Sequence, residues 1–292
     1  MPSTILSSRW LIPLIGLAGL VVFSLAESLR PLRRRREPRL RRLARNLTMA
    51  GLGLATVEIL QVPILVPVSR WTSSNGFGLV RLAPVSPWAR AVIAILALDY
   101  TLWIWHRINH RMPFFWRFHS VHHVDRDMDA STGVRFHFGE LGLSVLFRAG
   151  QIVLIGPDPI AVAVYQAFLF ASVLFHHSNL RLPVRLERAL VRVIVTPRMH
   201  GIHHSDRRNE TDTNFSSLLS AWDYLHGSIR LDIPQGEVEI GVPAFQAAER
   251  VTLGEILVLP FRRRRQEDDW KRVDGPAAIR YREEGSRVTL LP

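Results

Sequence analysis

Cysteine is absent from this chain of 292 residues. Without a thiol, the chain can form no disulfide, no iron–sulfur cluster and no thiolate bond to a metal. Any bound metal must therefore be held by nitrogen and oxygen donors. The sequence also contains no Gly-x-Gly-x-x-Gly stretch, so it shows no dinucleotide or flavin site that would carry electrons.

Lysine is almost absent as well. Of the 37 basic residues only Lys271 is a lysine, and the formal net charge is +12. A balance of this kind also occurs in nucleic-acid-binding proteins. Hydrophobic residues, however, make up 48% of the chain and are concentrated in long runs. We therefore expect an anionic lipid surface, and no nucleic acid, to face the arginines.

The apolar runs have the lengths expected of membrane segments. Residues 10–29 and 47–68 each provide the ~20 residues that cross ~30 Å of hydrocarbon. Residues 89–105 lead directly into the first histidines. Residues 141–155 and 160–175 are short for a full crossing and are joined by a Gly-Pro-Asp-Pro turn. They predict a tight hairpin that crosses or re-enters the bilayer, with a hairpin in a soluble core as the alternative.

The segment between the first two runs predicts the orientation. From Arg30 to Arg45, nine of sixteen residues are arginine. Positive charge beside a span favours the cytoplasmic side. A signal peptide would carry its charge ahead of the apolar run, so we interpret the first run as a retained span. Counting crossings from this loop predicts an inner or cell membrane protein in which the third run and the hairpin both end in the cytoplasm.

Eight of the twelve histidines fall into three boxes that end near this same face. Their spacings of three and four residues place side chains on one helical face, and imidazole binds borderline first-row metals. Eight ligands are too many for one ion, so the number indicates two. The boxes consist of His106 and His110, then His119, His122 and His123, then His200, His203 and His204.

Three alternatives use the same histidines. Two closed structural zinc sites would usually recruit cysteine. A haem electron carrier would place isolated histidines on facing spans, whereas these follow the spans. A metal transporter or sensor would need polar groups in the bilayer, where only Asp99 and Glu58 stand out. Asp99 itself is either a carboxylate that orients a ligand ring or the ion-pair partner of an arginine.

Residues from about 90 to 230 resemble the fatty acid hydroxylase and sterol desaturase superfamily. The boxes occur in the family's order and are accompanied by its flanking motifs. Phe138, Ser216 and His226 depart from the residues common there, and none of these departures removes a box histidine. The matching motifs are Ser120–Asp129 (SVHHVDRDMD), Thr132–Glu140 (TGVRFHFGE), Phe175–Leu180 (FHHSNL), Thr196–Ser205 (TPRMHGIHHS) and Asn214–Asp223.

The resemblance implies an all-α membrane bundle of about four spanning or re-entrant helices with a cytoplasmic, histidine-rich di-metal cap. It implies a non-haem di-iron oxygenase that hydroxylates or desaturates a lipid, with zinc as a substitute in a purified sample. Electrons would come from a separate reductase through a ferredoxin-like or cytochrome-like carrier. A membrane metal-binding or electron-carrying protein without oxygenase activity is the alternative function. We expect three parts: N-terminal spans (1–88), a catalytic domain (89–230) and a C-terminal extension (231–292).

The resemblance also adds site residues. His177 would be a ninth ligand, with His176 as its rival, and Asn179 would coordinate weakly or orient a ligand. No catalytic residue is expected apart from the metal ligands. The remaining motif residues have supporting roles: His137 is structural or behind a ligand, Arg135 and Glu140 form an ion pair, and Trp222 and Asp223 pack and cap the closing element.

The C-terminal extension holds one apolar stretch, Val251–Phe261, followed by four arginines. Such a pairing is typical of a segment that lies at the membrane surface. A buried helix or strand is the equal alternative.

Overall fold

A computed structural model describes residues 3–270 of the chain, with side chains from Pro13 onward. Within this part the chain is helical and has no strand, as the sequence predicts. The helices are α1 Ser3–Leu29, α2 Arg39–Thr56, α3 Val62–Ser74, α4 Leu79–Leu82, α5 Pro87–Arg111, α6 Pro113–His123, α7 Phe138–Ile155, α8 Pro159–His177, α9 Val184–Leu190, α10 Pro197–His203, α11 Arg208–Thr211, α12 Ala221–Leu225, α13 Leu253–Val258 and α14 Gln266–Asp269.

Four helical segments of the described chain are long and apolar enough to cross a membrane. This agrees with the four-helix bundle that the sequence predicts. The apolar part of α1 that carries described side chains is shorter, at Pro13–Leu29. The four segments are Arg39–Leu82, Pro87–Arg111, Phe138–Ile155 and Pro159–His177.

The second apolar run belongs to a much longer helical segment than its hydropathy indicates. A π-helical turn, Val57–Gln61, joins α2 to α3, and α3 continues to Ser74. The helix therefore continues past the end of the apolar run of residues 47–68. Polar residues can extend a helix past its apolar part because the backbone hydrogen bonds continue regardless of side-chain polarity.

The hairpin is built from two helices of 18 and 19 residues, each long enough to span. Gly156 ends α7 in the left-handed region, at φ 73°, and its backbone packs against Gly78, at φ 114°. A Cβ on Gly78 would lie 2.3 Å from the Cα of Gly156. Glycine is required at this crossing both for its positive φ and for the close approach.

Helix α5 lies between the two arms of the hairpin. It packs against both α7 and α8, whereas α7 and α8 make few direct contacts with each other. One aromatic contact between α5 and α7 stacks Trp105 on Phe147, with centroids 4.7 Å apart. The ends of α5 and α8 and the start of α7 meet α6 and α10, so the three histidine boxes converge at one end of the bundle.

The segment from Val251 to Phe261 forms α13 and a following 3-10 turn. Val251, Ile256 and Leu259 are buried in a core that includes Trp116 of α6. Phe261 remains 63% exposed. Most of this stretch is therefore buried against α6, as the buried-helix alternative expects. The extension beyond residue 270, including Lys271, lies outside the described residues.

Candidate metal centre

Nine histidines, the eight of the boxes and His177, form two compact groups of buried or nearly buried rings. Within each group, one ligand nitrogen from every ring lies within 4.8 Å of all the others. These are the nine positions that the sequence proposes as ligands. Group one contains His106, His110, His119, His123 and His203, and group two contains His122, His177, His200 and His204.

Helix starts and ends position these rings. Helix α5 ends at Arg111, and Pro113 then occupies the first turn of α6, so the chain reverses direction just after His110. Proline is favoured at this position because the first helical N–H has no intrahelical partner. Helix α10 begins the same way, with Thr196 accepting from Met199 N and Pro197 in its first turn. Both short helices thus start with proline in the first turn and carry a histidine box.

Hydrogen bonds fix which ring nitrogen carries the proton in part of group one. His106 Nδ1 lies 2.7 Å from Phe215 O, and His203 Nδ1 lies 2.7 Å from Thr213 O. A carbonyl oxygen can only accept, so each Nδ1 carries the hydrogen and each Nε2 presents a lone pair. The two Nε2 atoms are 3.1 Å apart. Two lone pairs at this distance repel each other unless a cation lies with them.

A proton is a poor candidate for that cation. Burial, together with the neighbouring rings, lowers the pKa of His203 to about 3 and holds the pKa values of His123 and His204 well below the ordinary value. In the described chain His110, His123 and His204 have no hydrogen bond at either ring nitrogen, although all are buried. Buried polar atoms are rarely left without a partner in native proteins.

Metal ions fit this arrangement. Two nitrogens that bind one ion at about 2.1 Å lie at most about 4.2 Å apart. The 4.8 Å span of each group is close to this limit, so small ring shifts would close each site. The donors are all neutral imidazoles, which suit iron, zinc and copper. The two groups adjoin, because His123 and His204 stack with centroids 4.3 Å apart although they belong to different groups.

Group one has hydrogen-bond partners behind three of its five rings. Besides the two carbonyls already described, His119 Nδ1 donates to Glu140 Oε1 at 2.9 Å. His110 Nδ1 lies 3.9 Å from Asp212 Oδ1. Carboxylates and carbonyls behind ligand rings fix the tautomer, and carboxylates also raise the basicity of the ligand nitrogen.

Group two has far less support behind its rings. His177 Nδ1 lies 2.8 Å from Val173 O, so its Nε2 carries the lone pair. That Nε2 lies 3.0 Å from Nε2 of both His122 and His200. The Nδ1 atoms of His122, His200 and His204 have no hydrogen bond within the described chain. Phe136 stacks on His122 at 4.6 Å and covers that ring.

The predicted ion pair between Arg135 and Glu140 is wrong. Arg135 lies 3.6 Å from Asp125 and donates to Val121 O and to Asn46 Oδ1. Glu140 faces His119 instead. Arg135 follows a 3-10 turn while Glu140 begins α7, so the two side chains do not share a helical face, and charge alone gave the wrong partner.

Neither reading of Asp99 holds. Its carboxylate accepts from Trp222 Nε1 at 2.7 Å, Leu219 N at 3.1 Å and Tyr165 Oη at 3.4 Å. Asp99 is thus held by the closing element rather than by an arginine or a ligand ring. Asp223 similarly accepts from Trp103 Nε1 and from Phe215 N, which positions the carbonyl that holds His106. This agrees with the packing and capping role expected of Trp222 and Asp223.

The remaining histidine and asparagine candidates lie outside both groups. His137 caps α7 by accepting from Gly139 N, which agrees with a structural role. His176 is buried beside His200, with centroids 4.2 Å apart, but only its neighbour His177 joins a group. Asn179 pairs with the backbone of Arg33 through both its amide atoms. It therefore fastens the arginine-rich loop to the cap.

A buried charge network, which the spacing of residues did not predict, supports the second box from below. Arg42 of α2 donates to Asp125, Asp129 and Thr132, and Arg45 lies 3.3 Å from Asp125. These arginines hold the pKa of Asp125 well below its usual range despite its burial. Part of the arginine-rich segment thus has a structural role in place of a lipid contact.

Comparison with known proteins identifies the region that contains the site. Residues 91–228 match the fatty acid hydroxylase family. The chain is 29% identical over 157 residues, 52% of its length, to an ornithine lipid hydroxylase of Rhizobium tropici. It is 26% identical over 163 residues, 54% of its length, to human alkylglycerol monooxygenase. It is 23% identical over 205 residues, 68% of its length, to mouse cholesterol 25-hydroxylase.

The matched part covers 45% and 34% of the first two relatives and 67% of the third. No solved structure matches the chain. The match includes every histidine of groups one and two, and the spanning helices agree with an integral membrane protein. The part of the chain that contains both groups, residues 91–228, is thus a fatty acid hydroxylase domain.

Proposed function

We propose that this protein is a membrane-bound, non-haem di-iron oxygenase that hydroxylates or desaturates a lipid with O2 and externally supplied electrons. One observation carries the proposal: two adjoining groups of neutral imidazoles lie at the end of a spanning bundle, with Nε2 atoms of neighbouring rings 3.0–3.1 Å apart. The nine histidines of groups one and two are the proposed ligands. Zinc would occupy the same positions in a purified sample.

Iron held at these positions supplies the activation of O2 and the oxidation of a C–H bond. The chain itself positions the ligand rings and excludes water. Carbonyls of Phe215, Thr213 and Val173 orient ligand rings, and Glu140 holds His119. The rings lie among spanning helices, so a lipid can approach laterally from the hydrocarbon without crossing water.

The relatives support a lipid substrate. Their names specify an ornithine lipid, an alkylglycerol and cholesterol, which share a long apolar body and differ in the polar group. The histidine groups would meet the apolar body in each case. Hydroxylation accords with these names. Desaturation would begin with the same removal of a hydrogen atom, but a second hydrogen would then be lost in place of the transfer of oxygen.

Two electrons for each O2 must come from another protein. We propose a separate reductase with a ferredoxin-like or cytochrome-like carrier that docks on the cytoplasmic side, where the arginine-rich loop adjoins the cap. Asn179 fastens that loop beside group two. An acidic carrier would be attracted to the exposed arginines of the loop. The catalytic domain of this proposal is 89–230, between the spans of 1–88 and the extension of 231–292.

The test compares single-ligand variants with a histidine outside both groups. We expect about two irons per chain, and lipid oxidation that is lost in His122→Ala and in His203→Ala while membrane insertion is retained. His226→Ala is the control, because that ring stacks on Trp103 away from the groups. Mass spectrometry of the lipids measures their oxidation, and elemental analysis of the same samples measures the iron content. Activity retained in both ligand variants would refute the oxygenase.

A further inference from the structure

An arginine lies on the inward face of the spanning helix α7. The inward stripe passes through Glu140, Ser144, Arg148 and Ile155, at intervals of four, four and seven residues, which keeps them on one face. The outward face is marked by Leu146, 80% exposed, and Leu154, 57% exposed. Arg148 is therefore directed toward the interior of the bundle from near the middle of a membrane span.

The Arg148 side chain is less buried than its neighbours on the inward face of α7. Ser144, Ile152 and Ile155, its neighbours on the inward face, are each no more than 5% exposed. Arg148 between them is only partly buried. Exposure in the middle of a buried face indicates a gap between helices rather than contact with lipid. The gap accords with the packing of the hairpin, since α7 and α8 both contact α5 but make few contacts with each other.

Arg148 has no hydrogen bond or ion pair within residues 3–270 of the structure. The acidic or phenolic groups whose electrostatic field reaches it are Tyr165 and Glu140. Both are already engaged, Tyr165 with Asp99 and Glu140 with His119. A guanidinium is always charged, and a charge at the centre of a span is costly unless it is paired. The position therefore calls for a partner that the chain itself does not provide.

Other polar groups line the same region. Gln151 of α7 donates to Thr101 Oγ1 of α5 at 2.6 Å, and Tyr165 of α8 contacts Asp99 of α5. All three helices around the gap thus present polar atoms at the level of Arg148. Eight residues of helix separate Arg148 from Glu140, a rise of ~12 Å. Since Glu140 holds His119, this is the approximate depth of Arg148 below group one.

We propose that Arg148 binds the polar group of the lipid substrate inside the bundle, so that the oxidised carbon lies ~12 Å from that group. This inference rests on the proposed oxygenase function and narrows its substrate. A hydroxyl, carbonyl or carboxylate suits a gap within the membrane, whereas a phosphodiester headgroup belongs at the interface. The substrate is then a lipid with one small oxygen-bearing group, oxidised at a carbon remote from it.

Binding measured without turnover tests this assignment. The purified protein in nanodiscs, kept free of oxygen, is titrated with two matched pairs of probes: octadecanol against octadecane, and cholesterol against cholestane. A hydrogen bond to a charged group predicts that the oxygenated member of at least one pair binds about tenfold or more tightly. We expect Arg148→Met to abolish this preference and Arg148→Lys to retain part of it.

Leu154→Met on the lipid-facing side of α7 is the control and should keep the full preference. Replacing an unpaired guanidinium by methionine removes a cost of burial, so the variant should remain folded. Absence of any preference in the wild type, or a preference that persists in Arg148→Met, overturns the proposal. Because no oxidation is measured, binding through Arg148 can hold even if the oxygenase function fails, and the two outcomes are separable.

Discussion

Group one and group two use the same ligand, imidazole, but differ in what stands behind the rings. Three of the five rings of group one are hydrogen-bonded to an outer partner, and one of these partners is a carboxylate, Glu140. In group two only His177 has one, the carbonyl of Val173. Outer partners fix ring orientation before a metal binds. Group one is thus the better-ordered set of five rings, and group two is a set of four rings with less to hold them in place.

This difference suggests separate tasks. A well-ordered site with more ligands favours tight retention of its ion, whereas a site with fewer ligands leaves coordination positions for small molecules. Group two also lies beside Phe136 and His176, so its surroundings are aromatic rather than carboxylate. We expect group one to retain its metal more firmly and group two to be the more exchangeable site.

Removing one ligand from each group should give the largest effect. His110→Ala and His200→Ala should each lower iron from about two to about one per chain, because each deletes a nitrogen from a single group. Elemental analysis of purified protein measures the loss. His226→Ala, a ring outside both groups, should leave the iron content unchanged. Loss of all iron in either variant would show that the two groups bind cooperatively and would remove the distinction between them.

Glu140→Gln should act on group one alone. Without the carboxylate, His119 loses the partner that fixes its tautomer and raises its basicity, and we expect metal affinity to fall about 10–100-fold. Competition with a chelator resolves the two ions by their release. Glu255→Gln serves as control, since that glutamate pairs with Arg262 in the extension. If Glu140→Gln instead speeds release of the ion that the wild type holds more weakly, the assignment of carboxylate support to group one fails.

Asp212→Asn should have a smaller effect in the same group. Its oxygen lies 3.9 Å from His110 Nδ1, beyond hydrogen-bond distance, and Arg111 and Arg208 share its charge. We expect a reduction in metal affinity well below that of Glu140→Gln in the same chelator titration. The surface variant Asp232→Asn provides the baseline. An effect equal to that of Glu140→Gln would mean that Asp212 closes onto His110 when metal binds.

Trp116→Phe should give the smallest change. The indole of Trp116 packs on His110 and His123 and donates to Asp269 Oδ2 at 2.8 Å. Losing that hydrogen bond should lower the free energy of unfolding by about 1 kcal/mol. Thermal unfolding with and without metal measures it. A loss of iron from group two, rather than group one, would contradict the packing described for this ring.

Much of the bundle could be predicted from the sequence because hydropathy and histidine spacing are local signals. Runs of ~20 apolar residues and the i, i+3 and i, i+4 spacing of the boxes depend only on neighbours in the chain. The longer helix from Arg39 to Ser74 was missed, since hydropathy ends before the backbone hydrogen bonds do.

The partners behind the ligands could not be predicted. Three of them are backbone carbonyls, of Phe215, Thr213 and Val173, and a carbonyl leaves no mark in the sequence. The partners of the carboxylates were predicted wrongly for another reason. Glu140 was assigned to an arginine, and Asp99 to an arginine or a ligand ring, but the fold gave them histidine and tryptophan partners from distant segments. Tertiary packing selects among several chemically reasonable partners, and spacing along the chain does not.

The contacts that close the cap join segments that are synthesised at different times. His106 and His203 meet across 97 residues, and Gln266 donates to the carbonyl of His110 across 156. A ribosome must therefore synthesise the chain past His204 before either group has its full set of rings, and past Gln266 before that segment can close over His110. A metal ion that needs all the rings of one group can therefore bind only after the third histidine box has been synthesised.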